Sequence, residues 1–334
     1  MSNRIIIRAP NWIGDAVMAV PMIQQTRRTF PRAHLTVLAR DWVAPVYSYL
    51  DVIDDIISLS RNQKGNLYSQ NTLINELREK QYDMGFILPD SFSSAWILFQ
   101  SKIKLRIGYK GQLRAWMLTE RLDLGVVEKM HRTDKYLKLL EPYATRISYG
   151  VSPQLSVKKV QKNSLPEGWD IDLIHIGVNP YSIAPSRRWP IPYWRELIRR
   201  LRDPLLQFLI FGSSDNLLNS KELTDGLDAN IINLTGKLTL KESISCISQC
   251  NLFISNDSGP MHIADGVGVP TIGIFGAGDW TQTGLRSPHS ENLASAVYCS
   301  PCKKNYCINK HEPLLCLYSL TAEQIAEKAY SILL

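Results

Sequence analysis

The sequence contains no Gly-x-Gly-x-x-Gly stretch. The glycine fingerprint that seats a dinucleotide on a strand–helix turn is therefore missing, and a dehydrogenase loses its main support. No apolar run approaches the ~18 residues that a membrane-spanning helix requires. Nor is a secretory leader expected: the apolar segment from Ile13 to Met22 is interrupted by Asp15 and lacks a cleavage site. A cytoplasmic protein is expected. Repeats of solenoid spacing and low-complexity tracts are absent too. Cysteines are few, six in 334 residues. Cys246 and Cys250 lie four apart on a predicted helix, as core residues would. Cys299, Cys302, Cys307 and Cys316 cluster late in the chain. A CxxC followed by two further cysteines can hold zinc or an iron–sulfur group. The second pair is not a CxxC, however, so free loop thiols are expected and no metal is assigned.

What is present is the composition of a globular protein, 45% hydrophobic and 21% charged. The length accommodates two domains. The net charge of +7 is uneven: residues 1–150 hold 21 Lys and Arg against 14 Asp and Glu, and the remainder holds 17 of each. A basic first half suits an anionic partner such as nucleic acid, a membrane surface or a phosphorylated substrate, or is a solvated basic face.

Hydrophobic periodicity predicts an α/β chain. Arg4–Arg8 reads as a strand, with a loop through Gly14 and Asp15 into a helix over 16–29, then a strand over 35–39. Residues 71–80 read as a helix and 82–88 as a strand ending in Pro89-Asp90-Ser91. A basic stretch with Lys102, Lys104, Arg106, Lys110, Arg114 and Arg121 follows, interleaved with Tyr109 and Trp116. The polar, turn-rich segment 147–169 marks a boundary, giving domains 1–160 and 161–334. The second half alternates again: strands over 173–177, 206–211 and 231–234, helices over 193–202 and 240–249, and a terminal helix over 321–334, free to pack back on the first domain.

The chain is organised around Asn251 to Asp279. Leu252–Ser255 reads as a buried strand, Asn256–Gly259 as a turn, and Pro260 as the first turn of a helix. A helix N-terminus offers unpaired N–H groups to an anion, and strand-end loops of an open parallel sheet are where nucleotides bind. Asp257, Ser258, Gly259, Pro260, Met261 and His262 are thus candidate ligand residues. Arg187 and Arg188 suit a diphosphate, with the Asn179–Ser182 loop beside them; Gly212, Thr235 and Gly236 end neighbouring strands. Asp15 is either a helix cap or a general base aimed at a hydroxyl. Asp170-Ile171-Asp172 precedes a strand and is discounted as a metal site.

Together these residues resemble glycosyltransferase family 9, the bacterial heptosyltransferases. The resemblance rests on Asn11-Trp12-Ile13-Gly14-Asp15-Ala16-Val17-Met18, Arg187-Arg188-Trp189-Pro190, Phe211-Gly212-Ser213, Leu234-Thr235-Gly236 and Ser255 through His262. Residues 82–92 and Arg106 through Gly111 are similar to members acting on a core that already carries heptose. The resemblance implies a GT-B fold, two Rossmann-like domains facing across a cleft. It implies inverting transfer of heptose from ADP-L-glycero-D-manno-heptose to a heptosyl–Kdo–lipid A core, in lipopolysaccharide biosynthesis. Asp15 would be the base and Arg187 would meet the leaving group, with no metal. Asn179, Ser182, Arg187, Arg188, Gly212, Thr235, Gly236 and 257–262 would bind the donor. Asn11, Trp12, Asp90, Ser91, Arg106, Lys110 and Arg114 would bind the acceptor. Partners would be ADP-heptose, the anionic lipid-linked acceptor and the inner membrane face, with no nucleic acid. The chain has Arg187 where the family commonly has Lys. The alternatives are a family member with another donor or acceptor, and a non-catalytic nucleotide-sugar-binding protein.

Overall fold

The computed structural model describes residues 4–60, 67–158 and 165–334, with main chain only for 67–70. The chain divides into two compact units, Met1–Ser156 and Val157–Leu334.

The first unit is built on six strands: β1 (Arg4–Arg8), β2 (His34–Arg40), β3 (Asp55–Leu59), β4 (Met84–Ile87), β5 (Leu105–Tyr109) and β6 (Glu120–Leu122), in the order β3-β2-β1-β4-β5-β6. All neighbours run parallel. A parallel sheet is covered on both faces, so its central strands read as unbroken apolar runs; Ile5, Ile6 and Ile7 are fully buried. Helices α1 (Ile13–Met18), α2 (Val20–Thr29), α3 (Phe92–Gln100) and α4 (Arg132–Lys138) belong to this unit. The single helix expected over 16–29 is thus two. Pro21 lies in the first turn of α2 and has no N–H to continue the ladder.

The second unit repeats the plan with β7 (Ile174–Asn179), β8 (Leu206–Ile210), β9 (Ile231–Asn233), β10 (Leu252–Asn256), β11 (Thr271–Phe275) and β12 (Glu291–Ala294), ordered β12-β11-β10-β7-β8-β9 and again parallel. Its helices include α5 (Ile191–Arg200), α6 (Leu240–Ile247), α7 (Gly259–Gly266) and α8 (Ala322–Leu333). A capping box between Thr239 and Glu242 starts α6. The terminal helix α8 packs on α5 within this unit: Ile325, Ala326 and Ala329 share a core with Trp194, Leu197 and Ile198. Tyr330 Oη donates to the Arg200 carbonyl at 2.8 Å.

In each sheet the winding reverses beside the first strand of the unit. Chain leaving β1 and β4, and chain leaving β7 and β10, emerges there side by side. Such switch points are where doubly wound sheets hold ligands.

Candidate functional site

In the first unit, β1 ends into the loop carrying Asn11 and Trp12, and Asp15 sits in the first turn of α1. Its carboxylate, 23% exposed, faces Arg132 Nε of α4 at 3.5 Å. Burial works against the Arg132 charge, but Tyr136, Asp15 and Asp90 together hold its pKa above the ordinary arginine value. Asp90, on the loop after β4, accepts from Lys135 Nζ at 2.7 Å and pairs with Arg114 Nη2 at 3.4 Å. The switch point thus gathers Asp15, Asp90, Arg132 and Lys135.

Arg8 closes the end of β1. Its guanidinium donates to the carbonyls of Ala9 and Leu38 and, at 2.6 Å, to Asn11 Oδ1. Burial, and then Arg40, bring its pKa down to about 9. The Asn11 carbonyl accepts from Trp42 Nε1 at 2.9 Å, which fixes the loop that presents Trp12, 62% exposed.

Three expected acceptor ligands have other work. Arg114 is fully buried and donates to the carbonyls of Tyr109, Pro89 and Ser91. It is a strut that shapes the Asp90–Ser91 loop, because a left-handed turn at Gln112 and Leu113 folds it back beneath Tyr109. Arg106 donates to the carbonyls of Met117, Ile103 and Lys104 and lies over the Phe99 ring. Lys110 pairs with Asp123 at 2.7 Å. The Ser91 hydroxyl shares a hydrogen bond with Ser94 at 2.7 Å.

In the second unit, Asn179 at the end of β7 donates to Ser255 Oγ at 3.0 Å and Ser258 Oγ at 2.7 Å. Ser182 Oγ donates to the Asp257 carbonyl at 3.1 Å. Asn256 joins two loops, its amide donating to the Pro180 carbonyl at 2.7 Å and accepting from Trp189 N–H at 3.0 Å. Ser258 is engaged by Asn179, and its side chain does not cap α7. Met261 and His262 are buried, and the Met261 side chain packs with Phe275 and Leu285.

Asp257 is 4% exposed and meets Arg187 Nη1 at 3.1 Å. A buried carboxylate needs such a partner. Arg188 Nε donates to the Ser182 carbonyl at 2.6 Å, so Arg188 holds the 179–182 loop. Gly212, Thr235 and Gly236 line up behind: Gly236 N–H donates to the Gly212 carbonyl at 2.9 Å, and Gly236 takes a left-handed φ of 71°. Thr235 is buried.

Sequence reading missed Gly278. A Cβ there would stand 2.0 Å from Asp257 Oδ2. Gly278→Ala should therefore displace the Asp257 carboxylate and break its pairing with Arg187. A misplacement of about 1 Å can cost on the order of 100-fold in rate. Activity down on that scale, with a lowered melting temperature but a retained circular-dichroism spectrum, is the expected result.

The segment holding the four late cysteines supports Arg187 from behind. Ser186 N–H donates to the Asn305 carbonyl at 3.2 Å, its hydroxyl to that of Lys304 at 2.5 Å, and Lys303 pairs with Asp279 at 2.9 Å. Cys299, Cys302, Cys307 and Cys316 line a small cavity with Ser186 and Ala277, and none of the four is in a disulfide. Burial, and then the other three sulfurs, push Cys316 up to about 11. Among the described residues no group of three His, Cys, Asp or Glu side chains is set to hold a metal ion. Likewise, no described helix is long and apolar enough to cross a membrane.

The family model for glycosyltransferase family 9 (heptosyltransferase) matches residues 71–312. The chain is 27% identical to lipopolysaccharide heptosyltransferase 2 of Salmonella typhimurium, over 82% of each chain. It is 28% identical to lipooligosaccharide heptosyltransferase 2 of Campylobacter jejuni, over 99% of this chain and 98% of that one. Among solved structures it resembles ADP-heptose lps heptosyltransferase II of E. coli, with a TM-score of 0.81 at 23% identity, covering 99% and 98% of the two chains. Two doubly wound sheets in this order have the GT-B fold.

Proposed function

Because the chain belongs to glycosyltransferase family 9, we propose that it moves heptose from ADP-L-glycero-D-manno-heptose to a heptosyl–Kdo–lipid A core. The second unit binds the donor and the first binds the acceptor. The observation that carries the reading is the pairing of Arg187 with buried Asp257 beside the uncapped start of α7. A cation and a row of main-chain N–H groups at one strand end suit a diphosphate.

In this reading Asp15 takes the proton from the acceptor hydroxyl as that oxygen attacks the anomeric carbon. The sugar passes through an oxocarbenium-like state and inverts. Charge growing on the departing ADP is met by Arg187 and the main-chain N–H groups of Ser258, Gly259 and Met261. Asp257 holds Arg187 in place, and with His262 takes sugar hydroxyls. Asn179, Ser182, Gly212, Thr235 and Gly236 shape the donor pocket. No metal ion is assigned to the step. Asn11, Trp12, Asp90 and Ser91 contact the acceptor, whose phosphates and carboxylates complement the basic first half of the chain. The enzyme works in the cytoplasm, visiting the inner face of the membrane where its lipid-linked acceptor lies.

Incubation with ADP-heptose and purified heptosyl–Kdo–lipid A tests this. ADP should appear together with an acceptor heavier by one heptose. Donor binding without transfer to any core would instead support a binding protein, and transfer only from another nucleotide sugar would change the donor.

A further inference from the structure

On the first unit, α3 and the segment after β5 bring four aromatic rings into one cluster. Phe92 stacks on Trp96 with centroids 6.1 Å apart, and Trp116 sets its edge against Trp96 at 6.4 Å and Phe99 at 5.1 Å. The cluster reaches the surface: Trp116 is 57% exposed and Phe92 41%. At the turn just before Trp116, Leu113 is 88% exposed with a left-handed φ of 56°. A leucine adopts that backbone only at a cost, so the apolar side chain is held outward against both conformational and hydrophobic preference.

The charges along this stretch are mostly basic. From Phe92 to Arg121 the chain carries Lys102, Lys104, Arg106, Lys110, Arg114 and Arg121, with Glu120 the only acid. Asp90 and Asp123 answer Arg114 and Lys110. Lys104 reaches Asp83 at 3.7 Å yet remains 83% exposed. Lys102 and Arg121 are exposed as well. Indole rings settle at the headgroup level of a bilayer, and basic side chains beside them are drawn to anionic lipid.

We propose that this aromatic and basic face docks the protein on an anionic lipid bilayer, with Leu113 and Trp116 entering the headgroup region. The proposal deepens the functional reading, resting on it for the purpose of docking, delivery to a lipid-linked acceptor. Charge complementarity selects the occupant, since neither a second copy of this basic face nor a neutral apolar partner would answer the cations.

Co-sedimentation with phosphatidylglycerol vesicles and with phosphatidylcholine vesicles is the test. The wild-type chain should pellet with the anionic vesicles, and high salt should release it. Leu113→Ser/Trp116→Ser should weaken that binding by about tenfold or more, Lys102→Gln/Lys104→Gln should flatten its salt dependence, and Leu113→Trp should strengthen it. Transfer to a deacylated, water-soluble core should be unchanged in the serine variant. Equal binding to both vesicle types, or none, overturns the proposal. So does a dimer in sedimentation velocity that the serine variant abolishes, because the face then belongs to a second copy. Anionic-vesicle binding that the serine variant weakens, in a protein that glycosylates no soluble core, leaves the docking face standing and sinks the functional reading.

Discussion

Asp15→Asn should abolish most transfer while leaving donor binding intact. The amide keeps the size of the carboxylate but cannot accept the hydroxyl proton, and general-base catalysis is worth about 10²- to 10⁴-fold. Turnover should fall by that factor, with ADP-heptose affinity unchanged by calorimetry, because the residue lies in the first unit and the proposed donor residues in the second. Arg132→Met is the companion measurement. Arg132 faces the carboxylate at 3.5 Å, and its loss should cost less, on the order of tenfold, since it orients the base without accepting the proton. Full turnover in Asp15→Asn would remove Asp15 from the chemistry and leave it as an acidic residue in the first turn of α1.

Arg187→Met should lower both ADP affinity and kcat/KM, the latter by about 10²- to 10³-fold, the scale of losing one donor to developing charge. Two causes are separable. Arg187 neutralises Asp257, and in the proposed mechanism it also bears the leaving diphosphate. If only the first mattered, Arg187→Met/Asp257→Asn would recover activity, because the uncompensated carboxylate is gone. The proposal expects the double variant to stay as impaired as the single. Arg187→Lys should recover much of the loss, as an ammonium keeps the charge while losing the fork. Recovery in the double variant would reassign Arg187 to a purely structural role.

Much of this architecture is legible in local pattern. Runs such as Arg4–Arg8 and Leu252–Ser255 are apolar because central parallel strands are buried on both faces, and each ends in turn residues that begin a helix. The edges of the sheets are less legible. β5 lies inside the basic stretch, whose charges mask the short apolar run, and β12 has four residues of mixed polarity. Two site features depend on tertiary placement alone. Nothing in the helical spacing of Arg132, Lys135 and Tyr136 announces that α4 brings Arg132 to Asp15 and Lys135 to Asp90. Gly278 reads as an ordinary loop glycine until the Asp257 carboxylate is found against it. Arg114 shows the reverse error. Composition makes it a surface cation, whereas the left-handed turn before it sends the side chain inward.

Asn256 has a thermodynamic consequence. One carboxamide fastens the Pro180 carbonyl and the Trp189 N–H, so hydrogen bonds internal to the protein pin the chain segments on either side of Arg187. A host stiffened beforehand forfeits little disorder when the nucleotide arrives. Association should accordingly be fast and carry only a shallow heat-capacity change, the signature of rigid docking and not of coupled folding.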